Sequence, residues 1–241
     1  MVGDRPRKRA GRQRVGENLA VPASRVVVMA PHYDDAVLSC WSILDKHGPD
    51  ALVVTVFGGA PPPGRLWSHD AEPPGAVDSA TRLRARAEEN RQALALTNST
   101  HLDLDYLDSQ YKVSGARLPV ASDLAPLLRE AELVFCPAGT GRKNHHTDHV
   151  RVRELVTEVR PDASLYADQP YFRFPADLDA LPDEIGYAIE VVRLSVDQAT
   201  RKATAISRYA GEVPRVDDLG SRLDRPAEEF LYEVLWHRIR K

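Results

Sequence analysis

The stretch Ala30-Pro31-His32-Tyr33-Asp34-Asp35 decides the fold of this chain. It follows the β-branched run Val26-Val27-Val28 and precedes apolar residues with helical spacing. This order predicts a buried strand that ends near Ala30 and turns directly into a helix. One imidazole and two carboxylates therefore stand at the carboxyl end of a first strand, which is where open α/β sheets place their chemistry.

A second cluster of ligand-type side chains, His145-His146-Thr147-Asp148-His149, lies far downstream between another strand pattern and another helix pattern. Two histidines and one carboxylate from the two clusters would form a three-ligand site with an open position, which is typical of catalytic zinc. A bound cation polarises a carbonyl and acidifies water. The remaining groups could transfer protons or stabilise an oxyanion.

Two aspartates have more specific expected roles. Asp34 stands beside a candidate ligand without being needed as one, so it is free to act as a general base. Asp148 is expected between His146 and His149, where it could fix the tautomer of a ligating histidine. Each feature also has an ordinary structural interpretation. An Asp-Asp pair after a strand can simply cap a helix, and a single HxxH pattern is common on surfaces. The joint occurrence after two separate strands favours a site.

Composition sets limits on the function. The 241 residues are 43% hydrophobic and 28% charged, with a net charge of −3, which gives no reason to expect nucleic acid as a partner. No run approaches the roughly 18 apolar residues of a membrane span. The arginine-rich residues 1–20 are predicted to be a flexible basic tail, and residues 21–241 a single domain. Cys40 and Cys136 do not resemble a disulfide framework, so we expect a cytoplasmic protein with both thiols in the core.

Strand and helix patterns alternate along the chain, which predicts a single α/β domain, Rossmann-like, with a mostly parallel sheet flanked by helices. A long loop rich in Gly and Pro, residues 58–78, is expected to form a substrate wall that includes Trp67. Strands are predicted over 25–30, 51–57, 101–107, 132–136, 164–167, 187–194 and 230–237, and helices over 35–47, 79–97 (capped by Ser79), 124–130, 150–160 and 195–209 (capped by Ser195).

At these motifs the chain resembles the PIG-L or LmbE-like zinc-dependent de-N-acetylases, which remove acetyl from N-acetylglucosamine units. The first family motif, roughly (A/P)HPDDE, corresponds to Pro31-His32-Tyr33-Asp34-Asp35-Ala36, and the second, HxDH, to His146-Thr147-Asp148-His149. The resemblance extends to Arg86-Ala87-Glu88-Glu89, to Leu107-Asp108-Ser109 and to residues 165–171. It covers roughly residues 25–172. The two motifs in this order are a specific signal, whereas either alone would be weak.

The resemblance implies a role for each matching residue. It implies that His32, Asp35 and His149 hold one zinc per chain, although other divalent metals would suit the same donors. Asp34 would be the general base for the attacking water, and His146 would stabilise the tetrahedral intermediate or protonate the departing amine. Arg86 and Asp108 match sugar-contacting positions. Tyr33 replaces the usual Pro and is expected to line the pocket.

The implied substrate is a small amino-sugar conjugate of natural-product or thiol-cofactor biosynthesis, with the oligomeric state left open. Two other functions remain alternatives. One is a non-haem iron oxygenase, because His32, Asp34 and His149 also match a 2-His-1-carboxylate triad. The other is a catalytically idle sugar-binding protein on the same fold, because fold does not fix function. Helical patterns after both clusters disfavour the oxygenase, whose usual fold is all-β.

Overall fold

The computed structural model describes residues 25–71, 77–111, 113–139, 146–172, 186–211 and 231–239. The predicted basic tail lies outside these ranges. The described ranges contain the strands β1 (Val26–Ala30), β2 (Ala51–Thr55), β3 (Thr100–Asp103), β4 (Leu133–Pro137), β5 (Ser164–Tyr166), β6 (Tyr187–Arg193) and β7 (Tyr232–Arg238). The helices there are α1 (Asp35–Ser39), α2 (Trp41–His47), α3 (Ser79–Leu94), α4 (Ala121–Leu128), α5 (Thr147–Val159) and α6 (Val196–Ile206). None of these helices is long and apolar enough to cross a membrane.

The strands form one sheet in the order β3-β2-β1-β4-β5-β7-β6. The first five strands in that order are mutually parallel, and β7 runs antiparallel to both β5 and β6. The predicted fold class, a mostly parallel sheet flanked by helices, is therefore confirmed. The chain builds outward from β1 through β2 to β3 and then returns to the other side of β1 with β4. The β1/β4 boundary is thus the point where strand order reverses, and ligands of open α/β sheets bind there.

Burial of the central strands explains why their sequences are continuously apolar. Every residue of β1 and β2 is buried, as expected for parallel strands covered on both faces. On one face, Val28 shares a buried cluster with Trp41 and Leu44. On the other face, Met29 shares a cluster with Val156 of α5. This packing fixes the carboxyl ends of β1 and β4, from which both ligand clusters emerge.

The helix predicted over residues 35–47 is wrong in one respect, because the structure has two helices separated at Cys40. The carboxylate of Glu233 on β7 accepts hydrogen bonds from the backbone N–H of Trp41 at 2.8 Å and of Ser42 at 2.9 Å. These N–H groups belong to the first turn of α2, where no intrahelical acceptor exists. Glu233 therefore caps the start of α2, and α2 begins as a helix separate from α1.

Helix starts differ from the sequence prediction at three further places. The helix predicted over 124–130 spans Ala121–Leu128. The helix predicted over 150–160 begins at Thr147, so Asp148 and His149 lie buried in its first turn. The cap of α3 is Asp78 rather than Ser79, because the Asp78 side chain accepts the backbone N–H of Thr81 at 2.7 Å. A carboxylate at this position also interacts favourably with the helix dipole. The predicted cap of α6 is confirmed, since the hydroxyl of Ser195 accepts a backbone N–H from the first turn.

We expect Glu233→Leu to lower the free energy of unfolding by about 3–5 kcal/mol, because it leaves a buried charge without its partner. The Nζ of Lys202 lies 2.8 Å from Glu233 Oε1, and the two side chains are 2% and 0% exposed. Urea unfolding measures the loss. Glu132→Gln is the matched control, because Glu132 pairs with Arg25 on the surface and should change stability little. Equal unfolding midpoints for the two variants would contradict this role for Glu233.

Candidate metal centre

The two ligand clusters meet at the carboxyl ends of β1 and β4. The ring of His32, just beyond β1, lies 4.8 Å from the His146 ring and 5.4 Å from the His149 ring, centroid to centroid. His146 occupies the cap position of α5, and His149 lies within its first turn. The structure therefore brings together residues that the sequence places more than a hundred positions apart.

Asp35 lies between two of the histidines. Its Oδ2 accepts the backbone N–H of His32 at 2.7 Å and lies 3.4 Å from His32 Nδ1, while its Oδ1 lies 3.6 Å from His149 Nε2. Burial alone would raise the pKa of Asp35, but His149 and His32 outweigh burial and hold this pKa well below its ordinary value. Asp35 is therefore ionised and faces the nitrogen atoms that a cation would need.

His149 is oriented for ligation by a residue that sequence reasoning did not single out. Its Nδ1 lies 2.7 Å from Asp168 Oδ1, and both side chains are 2% exposed. A carboxylate at Nδ1 accepts the ring N–H there and leaves Nε2 as the nitrogen available to a cation. That Nε2 is buried and has no hydrogen-bond partner among the described residues. It lies 3.6 Å from Asp35 Oδ1, so the two atoms could bind the same metal ion.

The opposite edge of the His32 ring faces two more carboxylates. His32 Nε2 lies 3.3 Å from Asp108 Oδ2 and 3.3 Å from Asp148 Oδ2, and the backbone N–H of Ser109 donates to Asp148 at 3.1 Å. Burial opposes a charged imidazole. Asp108, Asp148 and Asp35 together outweigh burial and raise the pKa of His32 well above its ordinary value. His32 is thus held by carboxylates on both edges of its ring.

Asp148 is in the site but not where the sequence predicts it. Instead of lying between His146 and His149, its carboxylate contacts His32. Burial would raise the pKa of Asp148, but the hydrogen bond and charge of His32 lower it to about 2. The tautomer that Asp148 is placed to fix is therefore that of His32, while Asp168 serves His149.

Asp34 occupies the cap position of α1, yet its side chain makes no capping hydrogen bond. The structural explanation of the Asp-Asp pair as a helix cap therefore does not account for this residue. Its Oδ1 lies 3.9 Å from an amino group of Arg86, which is buried on α3. The guanidinium orients the Asp34 carboxylate. Asp34 and Arg86, both predicted site residues, therefore lie on the same side of the site.

His146 is partly exposed beside the two proposed histidine ligands. Burial, followed by repulsion from His32 and His149, lowers the pKa of His146 to about 4. At neutral pH its imidazole is therefore uncharged and can donate one N–H. The ring of Tyr171 lies 6.2 Å from the His146 ring and 5.7 Å from the His149 ring, so it forms part of the wall around these histidines.

The two aromatic residues expected to line the pocket are placed differently. Tyr33 is buried, and its hydroxyl donates to the carbonyl of Gly58 at 3.2 Å. It thus supports the start of the long loop from inside. Trp67 is half-buried, with its ring 5.3 Å from that of Tyr111 and the Arg65 guanidinium 4.3 Å above it. Trp67 therefore contacts Tyr111 rather than the histidines of the site.

Several donor sets converge on His32. The described residues offer two sets of ligand atoms that all lie within 4.8 Å of one another, namely His32 with His146 and His149, and His32 with Asp108 and Asp148. The predicted ligand Asp35 contacts both His32 and His149 at the distances given above. Imidazole nitrogens with a carboxylate suit zinc, whereas one imidazole with two carboxylates suits harder divalent cations. The residues present therefore fit a divalent metal, and the unpartnered Nε2 of His149 favours the histidine-rich set.

The model of the GlcNAc-PI de-N-acetylase family, PIG-L, matches residues 27–160, more than half of the chain. The chain belongs to this family. The matched segment runs from β1 to the end of α5 and includes both motifs. A search of curated proteins finds no match. Together with the deacetylases among its structural relatives, membership of the PIG-L family identifies the protein as a metal-dependent N-deacetylase.

Three solved structures illustrate the range of similar proteins. The A40926 pseudoaglycone deacetylase Dbv21 is 26% identical over 91% of this chain and 98% of its own, with a TM-score of 0.60. The zinc-inhibited form of teicoplanin deacetylase Orf2 is 23% identical over 90% and 99%, with a TM-score of 0.65. The 4-carboxy-2-hydroxymuconate hydratase GalB from Pseudomonas putida KT2440 is 20% identical over 90% and 96%, with a TM-score of 0.57. This fold alone therefore does not specify the reaction.

Proposed function

We propose that this PIG-L family member is a zinc-dependent hydrolase that removes the N-acetyl group, or a similar N-acyl group, from an N-acetylglucosamine-type unit of a small glycoconjugate. The observation that carries the proposal is the buried, unpartnered Nε2 of His149, which Asp168 aligns and which faces Asp35. The family match supplies the sugar chemistry. Two buried free thiols, Cys40 and Cys136, are consistent with a cytoplasmic location.

His32, Asp35 and His149 would hold the ion, one per chain. When bound, zinc would polarise the amide carbonyl and make water more acidic. Asp168 and Asp148 fix the rings of His149 and His32 by hydrogen bonds to their other nitrogens, which is the usual support for ligating histidines. Asp35, which lies between these two rings, would supply the carboxylate ligand.

The hydrolysis then needs a base, an acid and a means of holding the sugar. Asp34, oriented by Arg86, would take a proton from the attacking water and return it to the nitrogen as the C–N bond of the tetrahedral intermediate breaks. His146 is neutral at pH 7, so its N–H would stabilise the oxyanion until that bond breaks. Arg86, beside Asp34, and Asp108, beside His32, would contact the sugar hydroxyls.

The two alternatives are less well supported. A 2-His-1-carboxylate oxygenase usually has an all-β jelly roll, whereas this sheet is mostly parallel and flanked by helices. An idle binding protein would have no need to keep Asp34 out of its capping role and beside Arg86. Acetate release from a panel of N-acetylglucosamine conjugates, with and without added zinc, tests the proposal. Zinc-stimulated release from at least one conjugate is expected, and binding without release from all of them would favour the idle protein.

The aromatic wall of the long loop supports a further prediction. Trp67 packs on Tyr111, and its backbone N–H donates to the hydroxyl of Ser79 at 2.9 Å, so the loop is attached to α3 beside the site. We expect Trp67→Ala to lower kcat/KM on a large conjugate by about 2- to 12-fold, because a sugar loses an aromatic face worth about 0.5–1.5 kcal/mol. Metal content should not change. Leu66→Ala, a neighbouring exposed residue, is the control, and equal kinetics for the two variants would contradict a substrate contact for Trp67.

A further inference from the structure

A cavity of about 820 Å³ lies beside the metal centre, between the first turns of α5 and the segment that follows Leu107. It shares walls with the centre. Asp148, which lines it, contacts His32 at 3.3 Å, and the ring of Phe57, which also lines it, lies 6.0 Å from the His32 ring. A molecule held at the metal centre could therefore extend into this cavity without leaving the protein surface.

The cavity walls are mainly apolar. Phe57, Leu107, Leu118, Pro119 and Val150 contribute to them. Leu118 is 67% exposed although it is a large apolar residue, so its side chain offers area that a ligand could remove from water. A volume of this size falls in the range of small-molecule sites, which are typically apolar with a few polar groups at one end.

The arginines of the cavity serve its structure rather than offering an anion site. Arg151 donates to the carbonyl of Pro119 at 3.3 Å and lies 3.6 Å from Glu154, while Arg153 donates to the carbonyl of Ala138 at 2.8 Å. The Arg151 bond joins α5 to the opposite wall. Because the two sides are braced against each other, the cavity is preformed and an apolar ligand would not have to open it.

We propose that this cavity binds an apolar group of the substrate, attached close to the amide that is cleaved. The proposal rests on the proposed hydrolysis and specifies its substrate class. Two parts of a glycoconjugate could supply such a group, namely an N-acyl chain longer than acetyl or an apolar aglycone. Both would bury alkyl carbon against the same walls, and each buried methylene contributes a similar favourable free energy.

Two series of compounds distinguish these sources. One is a methyl glucosaminide that carries N-acetyl, N-butyryl or N-hexanoyl, and the other is N-acetylglucosamine with an O-methyl, O-butyl or O-hexyl group. We expect kcat/KM to rise about fourfold per added methylene in one series. Leu118→Asp, which places a charge at the mouth, should flatten that series while leaving the N-acetyl methyl glycoside unaffected. Val196→Asp, at an exposed apolar residue on α6, is the control.

Flat kinetics in both series, with the N-acetyl methyl glycoside still cleaved, would overturn the cavity proposal and leave the hydrolase intact. Cleavage of none of the compounds would count against the hydrolase instead. In that case calorimetric titration with the shortest and longest member of each series tests the cavity without turnover. Binding of the hexanoyl or the hexyl compound at least tenfold tighter than its short counterpart in wild type, and lost in Leu118→Asp, supports the cavity. Equal binding of the short and long members in both series refutes it.

Discussion

Asp34→Asn should retain its metal and lose turnover by a factor of about 10²–10⁴, which is the typical cost of removing a general base. The amide has nearly the shape of the carboxylate but cannot accept a proton from water. Asp34 makes no capping hydrogen bond and is not needed as a ligand, so we expect the metal content to stay near that of the wild type. Steady-state acetate release and metal analysis on the same preparation measure both quantities.

Asp105→Asn is the matched control for this substitution, because Asp105 is an exposed carboxylate at the same edge of the sheet, just beyond β3. It should behave as wild type in both assays. Deacetylation by Asp34→Asn within threefold of wild type would show that another group takes the proton. Loss of the metal from Asp34→Asn would instead make Asp34 a ligand.

His149→Ala should lose most of the bound metal and, with it, at least 10³-fold in activity. The substitution removes the nitrogen that is buried, unpartnered and aimed at Asp35. Metal analysis after dialysis against a weak chelator measures the loss. His47→Ala at the end of α2 is the control and should stay fully loaded. Full metal retention in both His32→Ala and His149→Ala would remove the basis of the site.

The same assay distinguishes the proposed ligands His32, Asp35 and His149 from the other donor set, His32 with Asp108 and Asp148. If the ion lies with Asp35 and His149, then Asp35→Asn should release it, and Asp108→Asn should keep it while impairing substrate binding. The reverse result would move the ion to the Nε2 edge of His32, beside Asp108 and Asp148. Asp168→Asn should weaken metal affinity about 10- to 100-fold, because such supporting carboxylates orient the ligand.

Much of this fold was predictable because its signals are local. A run of mainly apolar residues predicts each central strand, and helix patterns between the strands predict parallel pairing. The proximity of the two clusters also followed, since β1 and β4 are neighbours where strand order reverses. The carboxyl ends of adjacent parallel strands lie at the same edge of the sheet. The proximity of His32 and His149 could therefore be predicted without any knowledge of side-chain contacts.

What could not be predicted depends on contacts between distant segments. Asp168 follows β5 in a stretch with no metal-ligand spacing, and only its distance to His149 reveals its role. Its place just after a strand at the same sheet edge, inside the stretch 165–171 that resembles the family, was a signal that this residue could lie at the site. Glu233 caps α2 from β7, so no pattern near residue 40 could reveal the break in the helix. The position of Asp148 against His32 likewise depends on where α5 begins.

The most direct test of the account is the stoichiometry of product formation by metal-stripped and zinc-reconstituted protein on one accepted N-acylglucosaminide. Carboxylate and free primary amine should appear in equal amounts with about one zinc per chain, and both should cease when the metal is removed. Restoring the zinc should restore the reaction. Equal rates of amine formation with and without the metal would contradict the account, as would a fully loaded protein that releases no amine from any conjugate.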